Sequence, residues 1–326
     1  MLKVLYAGSP AASALTLKIL IENSEENGFE ITGVLTNPPS TQGRHKTPVP
    51  TPVESLAREN NIPVFTPEHL NSAAREEVSA IGADILVCFA YGHIFGPKFM
   101  ELFRFGGINL HPSALPEYRG CTPVNAAILN LKDETAFSIQ KVSEKMDEGN
   151  ILAQEKIPLT KKETAGSLLN DAALWGGNRI SEILKDISKN DTIQEGTPQY
   201  GEASYTKIII KEDARIDWTK SAFEIDGMVR GYNPDPVAWT TEHELPLKIL
   251  EGKPLTDEET ANLLQEPAAS EKNPGKVVQF VKSTGIIIAC GNGFYAVTKL
   301  QRQGKNPMDY KSFMNGARDF IGTQLK

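Results

Sequence analysis

Apolar and polar positions follow two rhythms along this chain. In the first half, short apolar runs alternate with longer stretches whose apolar residues recur every three or four positions. "LKVLYA" (2–7), "EITGVLT" (30–36), "IPVF", "ADILVCFA" (83–90) and "GINLH" (107–111) read as strands. "ALTLKILIEN", "TPVESLAREN" (51–60), "PEHLNSAAREEVSAI" and "PKFMELF" read as helices, with Thr51 as an N-cap and Pro52 in the first turn. Strands trading with helices predict βαβ units and a parallel, doubly wound sheet. The continuously apolar "DILVCFA" suits a parallel strand covered on both faces.

The rhythm then changes. "TAFSIQKVS" and "NILAQEKIPL" (150–159) alternate with period two and flank "EKMDEGN", as in a hairpin, and a helix is expected at about 163–187. Residues 188–207 are polar, rich in Gly, Pro and Thr, and aperiodic, which reads as a linker. Beyond it, "LPLKILEG", "GKVVQFV", "GIIIACGNG" and "FYAVTKLQ" are short β runs spaced for a small barrel. The expected layout is an α/β domain at 1–188, a linker at 189–206 and a β-rich domain at 207–326.

Composition narrows the function classes. Hydrophobic content of 40% and charged content of 23% are those of a globular protein. No apolar run reaches the length of a membrane helix, and no signal peptide is expected at the N-terminus. Three scattered cysteines, Cys88, Cys121 and Cys290, argue for a reducing cytoplasm, and five scattered histidines show no metal-ligand spacing, so no metal is expected. Net charge is −7, yet residues 272–326 hold nine basic and two acidic residues. Lys299, Arg302 and Lys305 lie in that tail. It is either a solvated face or a polyanion-binding surface on an acidic protein.

Candidate chemistry sits at the end of the fifth strand. Asn109 and His111, two residues apart, share one face of the strand, and Pro112 then stops the ladder. Ligands of open parallel sheets bind at such carboxyl ends. An amide beside an imidazole suits acyl transfer, one group holding an oxyanion and the other moving a proton. From N-x-H alone, a pair that merely caps the strand and bonds to loop backbone is the favoured reading. Asp147, in the hairpin loop, could orient the imidazole or simply form a turn. The first turn, "AGSPAAS", lacks the G-x-G-x-x-G of dinucleotide sites, and no Walker or G-x-S-x-G motif occurs. Cys121 reads as a packed small residue rather than a nucleophile. The loop 37–50, with four prolines and Arg44, His45 and Lys46 in a row, is either functional or merely solvated.

"NLHPSALPEYRGCTP" (109–123) with "MDEG" (146–149) resembles the 10-formyltetrahydrofolate-dependent formyltransferases. "EDARIDW" and "RGYNPDPVAW" resemble the branch of that family that acts on methionyl-tRNA. The resemblance runs from "VLYAGSP" to the closing "LQRQGKNPMDYKSFMNGAR". It implies a Rossmann-like formyltransferase domain followed by an OB-like barrel that helps hold tRNA. It implies catalytic roles for Asn109, His111 and Asp147. Ser113, Ala114, Leu115 and Pro116 would contact the folate co-substrate, and Phe89, Ala90, Tyr91 and Gly92 would receive its pterin ring. Arg44 and Lys46 would approach the acceptor stem of the initiator tRNA, with Lys299, Arg302 and Lys305 on the barrel. The expected protein is a cytoplasmic monomer using 10-formyltetrahydrofolate and no metal. Three alternatives keep parts of this pattern: formyl transfer to another amine, such as a nucleotide sugar or glycinamide ribonucleotide; formyltetrahydrofolate hydrolysis; and a non-catalytic RNA-binding protein.

Overall fold

The computed structural model describes residues 1–41, 47–264 and 273–326. They form two compact units. One comprises Met1–Pro123, Glu134–Pro158 and Leu168–Lys207; the other comprises Val124–Asp133, Leu159–Ser167 and Ile208–Lys326. Residues 189–206 therefore belong to the first unit.

The first unit is built on a seven-stranded sheet. Its spatial order is Ile151–Pro158, Glu134–Lys141, Gly107–His111, Ile85–Phe89, Leu2–Gly8, Phe29–Leu35 and Val64–Phe65. The last five run parallel, and the first two add an antiparallel hairpin at one edge. Every residue of Ile85–Phe89 is buried, as expected for a strand with both faces covered. Leu2, Val4, Tyr6, Ile108 and Leu110 enter one core layer, and Leu5, Ala7, Leu86 and Cys88 enter another.

Local signals set several boundaries. Helix Pro52–Glu59 starts where Thr51 accepts a hydrogen bond from the Glu54 amide, with proline in its first turn. The helix expected from Pro67 is confined to Ser72–Ser79, because Asn71 caps it by accepting from the Ala74 amide at 3.1 Å. The long helix runs Ala165–Asn190.

Register positions the site. Cys88 pairs with Asn109, Asn109 with Gln140, and His111 with Ser138. Partners in neighbouring strands share a face, so Asn109 and Gln140 project together.

The second unit carries an antiparallel sheet in the order Trp239–Glu242, Leu245–Pro254, Phe294–Arg302, Gly285–Ala289 and Val277–Val281, with Met308–Asp309 beside Phe294–Arg302. Its outer strands are not paired with each other, so the expected barrel takes the form of a half-barrel. Ile225, Val229, Leu247, Ile249, Ile288 and Val297 are among its core. Helix Ala222–Gly231, not anticipated above, opens with a capping box formed by Ser221 and Glu224. The S-x-x-E signature of that box was present in the sequence at "SAFE".

Candidate active site

The strand Gly107–His111 ends in two polar side chains of different accessibility. Asn109 is half-buried and His111 is buried, 4% exposed. The ring of His111 is held from both sides. Its Nε2 lies 2.9 Å from the Tyr118 carbonyl, which can only accept, so Nε2 carries a hydrogen. Its Nδ1 lies 3.6 Å from Oδ2 of Asp147. Nε2 therefore donates to the Tyr118 carbonyl, while Asp147 Oδ2 faces Nδ1 from beyond direct hydrogen-bond distance. The turn after Pro112 is braced: Ser113 Oγ donates to the Glu117 carbonyl, and Ser138 Oγ donates to the Ser113 carbonyl, both at 2.6 Å.

Asp147 reaches this tip from the hairpin loop. Its backbone is left-handed, with φ 54°. The Gly120 amide donates to Oδ2 at 2.8 Å, and Gln140 Nε2 donates to Oδ1 at 2.8 Å. Asn109 Nδ2 donates to Oδ1 at 3.3 Å, which leaves its second N–H unused by that bond. Close approach of the loop to the sheet demands a glycine at 149. A Cβ there would sit 1.7 Å from the Lys141 carbonyl oxygen. Asn109, His111 and Asp147 thus form one cluster. Beneath it, burial pushes the Cys88 thiol up to about 12, and Asp147 adds to the rise, so Cys88 stays a protonated packing residue.

Several participants escaped sequence reasoning. Gln140, 1% exposed, lies on the polar face of "FSIQK"; the alternation was visible, but its register against Asn109 was not. Arg119 donates to Gln199 Oε1, to Glu148 Oε1 and to the Tyr205 hydroxyl. Residues 199–207 cross the site as a strap. Tyr205 and Thr206 pair in parallel with Arg119 and Gly120, and Ser204 accepts from the Tyr118 amide. No local pattern signals these roles.

The two expected folate loops flank the cluster in sequence and in the sheet. Phe89 ends its strand and is buried. The next residues turn left-handed at Ala90 (φ 53°) and Gly92 (φ 87°), both exposed. Tyr91 instead faces inward: it is 1% exposed and its ring stacks on Phe95 at 5.5 Å. Among the described residues its hydroxyl has no hydrogen-bond partner, and burial pushes it up to about 12. In the other loop Ser113, Leu115 and Pro116 are buried and Ala114 is half-buried. Cys121 is exposed rather than packed, because the short pairing with the strap ends at Gly120.

The basic residues divide. Arg44 and Lys46 lie outside the described residues. Lys299 Nζ pairs with Glu251 at 2.8 Å. Arg302 is bound through Nε to Glu242 Oε2 at 2.7 Å, and its guanidinium lies 4.6 Å from the centre of the Phe313 ring. Lys305 is exposed, and among the described residues its ammonium has no ion pair.

Comparison with known proteins gives matches over nearly the whole chain. A family model described as formyl transferase matches residues 2–183, and one described as formyl transferase, C-terminal domain, matches residues 208–318. The methionyl-tRNA formyltransferase of Treponema denticola is 37% identical over 334 residues, covering 98% of each chain. That of Listeria monocytogenes is 35% identical over 320 residues, covering 97% of this chain and 96% of its own. Among solved structures, the sugar 3N-formyl transferase WlaRD, with dTDP and 5-N-formyl-THF, aligns with TM-score 0.62 at 19% identity over 94% of this chain and 99% of its own. HypX from Aquifex aeolicus, in complex with tetrahydrofolic acid, aligns with TM-score 0.61 at 13% identity over 97% of this chain. This chain spans 47% of the length of HypX. At these identities the solved structures speak for the fold alone.

Proposed function

Because the chain belongs to the formyl transferase family, and by full-length similarity to its methionyl-tRNA formyltransferase branch, we propose that it moves the formyl group of 10-formyltetrahydrofolate onto the α-amino group of initiator methionyl-tRNA. The observation that carries the chemistry is the apposition of Asn109, His111 and Asp147 at one strand end. The tRNA assignment rests on the branch. The protein acts in the cytoplasm, as a monomer.

The loops suit a flat folate ring. Among the described residues, nothing lies within 4 Å of where a Gly92 side chain would begin, and the left-handed turns at Ala90 and Gly92 leave a bare main-chain edge. Phe89, Ala90, Tyr91 and Gly92 would form one side of the binding edge, with Ser113, Ala114, Leu115 and Pro116 forming the other. When bound, 10-formyltetrahydrofolate supplies an electrophilic formyl carbon to the amine of methionyl-tRNA.

That amine has an ordinary pKa of about 7.7–8, so a usable fraction is neutral at cytoplasmic pH and no nucleophilic side chain is needed. Asn109 offers its spare N–H to the formyl oxygen as charge gathers there. His111, its Nε2 tied to the Tyr118 carbonyl, turns Nδ1 toward the reacting atoms and Asp147. Asp147 sustains the imidazolium and relays a proton, through water, from the attacking nitrogen toward the departing one. Loss of one oxyanion donor typically costs ~10²–10³ in rate.

The test incubates the protein with 10-formyltetrahydrofolate carrying a labelled formyl group and with methionyl-tRNA. Label on the methionyl amine supports the proposal. Label transferred only to a sugar amine or glycinamide ribonucleotide, or released as formate, assigns one of the other reactions of this fold. No turnover with any acceptor leaves only a binding protein.

A further inference from the structure

Asp147 occupies an awkward place for a reacting group. It lies in a hairpin loop whose neighbours Lys145 and Met146 are exposed, and its backbone is left-handed, which side-chain-bearing residues disfavour. The hydrogen bonds to its carboxylate, from Gly120, Gln140 and Asn109, orient the side chain. They do not hold the loop's main chain.

Gln199, on the strap, does. Its Nε2 lies 2.8 Å from the Asp147 carbonyl, 2.9 Å from the Gly149 carbonyl and 3.2 Å from Gln140 Oε1. Its Oε1 accepts from Arg119 NH2 at 2.8 Å and from Nε at 3.2 Å. Arg119 belongs to the opposite wall, one residue after Tyr118, whose carbonyl holds His111. One amide therefore ties the Asp147 loop to the segment that fixes the imidazole. It does so from a stretch that also seats Ser204 and Thr206 against that segment.

We infer that Gln199 is a positioning residue: by donating to the Asp147 and Gly149 carbonyls while accepting from Arg119, it clamps the catalytic carboxylate's loop against the His111 wall. It touches no reacting atom and acts through Asp147. The strap leads directly into the second unit's main segment, which begins at Ile208, so the same clamp makes the geometry of Asp147 depend on how the strap is seated. The inference rests on the catalytic reading of Asp147 given above.

The experiment uses the full-length protein with Gln199→Ala and Gln199→Glu. The glutamate keeps the size and the acceptor for Arg119 but has no N–H to donate. Both variants should lower kcat in formyl transfer roughly 10–100-fold, with KM for 10-formyltetrahydrofolate changed less than about twofold. Hydrogen exchange at residues 145–149 should quicken about tenfold or more in both, with residues 85–89 unaffected. In an Asp147→Ala background, Gln199→Ala should add little further loss, since groups acting as one unit do not sum. Wild-type kcat in either variant overturns the inference. So does quickened exchange throughout the sheet, or a full further loss in the Asp147→Ala background, since both denote general destabilisation. Wild-type protein that transfers no formyl group would refute the functional reading instead, and the exchange measurement would still decide whether Gln199 holds the loop.

Discussion

Nδ1 of His111 lies 3.6 Å from Oδ2 of Asp147, although the two residues come from a parallel strand and from a hairpin loop that follows it in the chain. That distance exceeds a direct hydrogen bond and makes the pair a charge contact bridged most easily by water or substrate. His111→Ala should remove most turnover while leaving tRNA binding nearly intact. Asn109→Ala and Asp147→Asn should act similarly, and the double variants should lose less than the product of the single losses. Steady-state kinetics decides it: His111→Ala retaining more than about a tenth of wild-type kcat excludes the proton-transfer role.

Gly149→Ala tests the same cluster from the backbone. The added methyl would meet the Lys141 carbonyl oxygen at 1.7 Å, so the loop bearing Asp147 must move. Misplacing a reacting group by about 1 Å costs on the order of 10² in rate. The expected result is a drop of that size in kcat in a protein that still melts cooperatively; wild-type kcat would show the loop's close approach to be dispensable.

Arg302 and Lys305 should separate cleanly. Arg302→Ala leaves Glu242, 8% exposed, without its partner and strips the cation from Phe313, at a cost of about 1–3 kcal/mol in urea unfolding. Lys305→Ala should leave stability within about 0.5 kcal/mol and reduce the log–log salt slope of tRNA binding by roughly 0.7–0.9, the signature of one phosphate contact. An unchanged slope for Lys305→Ala would assign it to solvated surface. A reduced slope for Arg302→Ala at full stability would make that arginine the phosphate ligand.

Ser221→Ala carries a pH signature. The Ser221 hydroxyl and amide hold the Glu224 carboxyl below the ordinary glutamate range. A depressed carboxyl stabilises the fold above its unfolded value, about 4.3, and that contribution disappears as pH falls through the lower folded value. At neutral pH the substitution should cost roughly 0.5–2 kcal/mol. The difference in Tm between wild type and variant should therefore be larger at pH 7 than at pH 3. A gap that widens on acidification would reverse the sign and refute the role of Glu224.

Local chemistry determined much of this protein on its own. The buried apolar run Ile85–Phe89 reads as a parallel strand because every position is apolar, and Thr51 and Pro52 start their helix with their own side chains. Asn109 and His111 share a face because strand geometry has period two, and Pro112 stops the strand because it lacks an N–H. Such signals act within a few residues, which is why they are legible. Where a signal of this kind went unread, as at Ser221 and Glu224, it was nonetheless present.

The tertiary structure decided what depends on register and closure. That Gln140 lies opposite Asn109, that Asp147 is delivered to His111, and that Gln199 reaches both walls of the site all follow from pairings between distant segments. A polar, aperiodic stretch such as 189–206 carries no periodicity to reveal that its later part lies across a site rather than hanging as a tether. Many of its partners are main-chain groups, among them the Asp147 and Gly149 carbonyls and the Tyr118 amide, which carry no sequence signature. The fate of the basic tail is likewise a tertiary matter. The charge of Arg302 is evident in the chain, but its neutralisation by Glu242 arises because the strand Phe294–Arg302 pairs with Leu245–Pro254, which in turn pairs with the strand carrying Glu242.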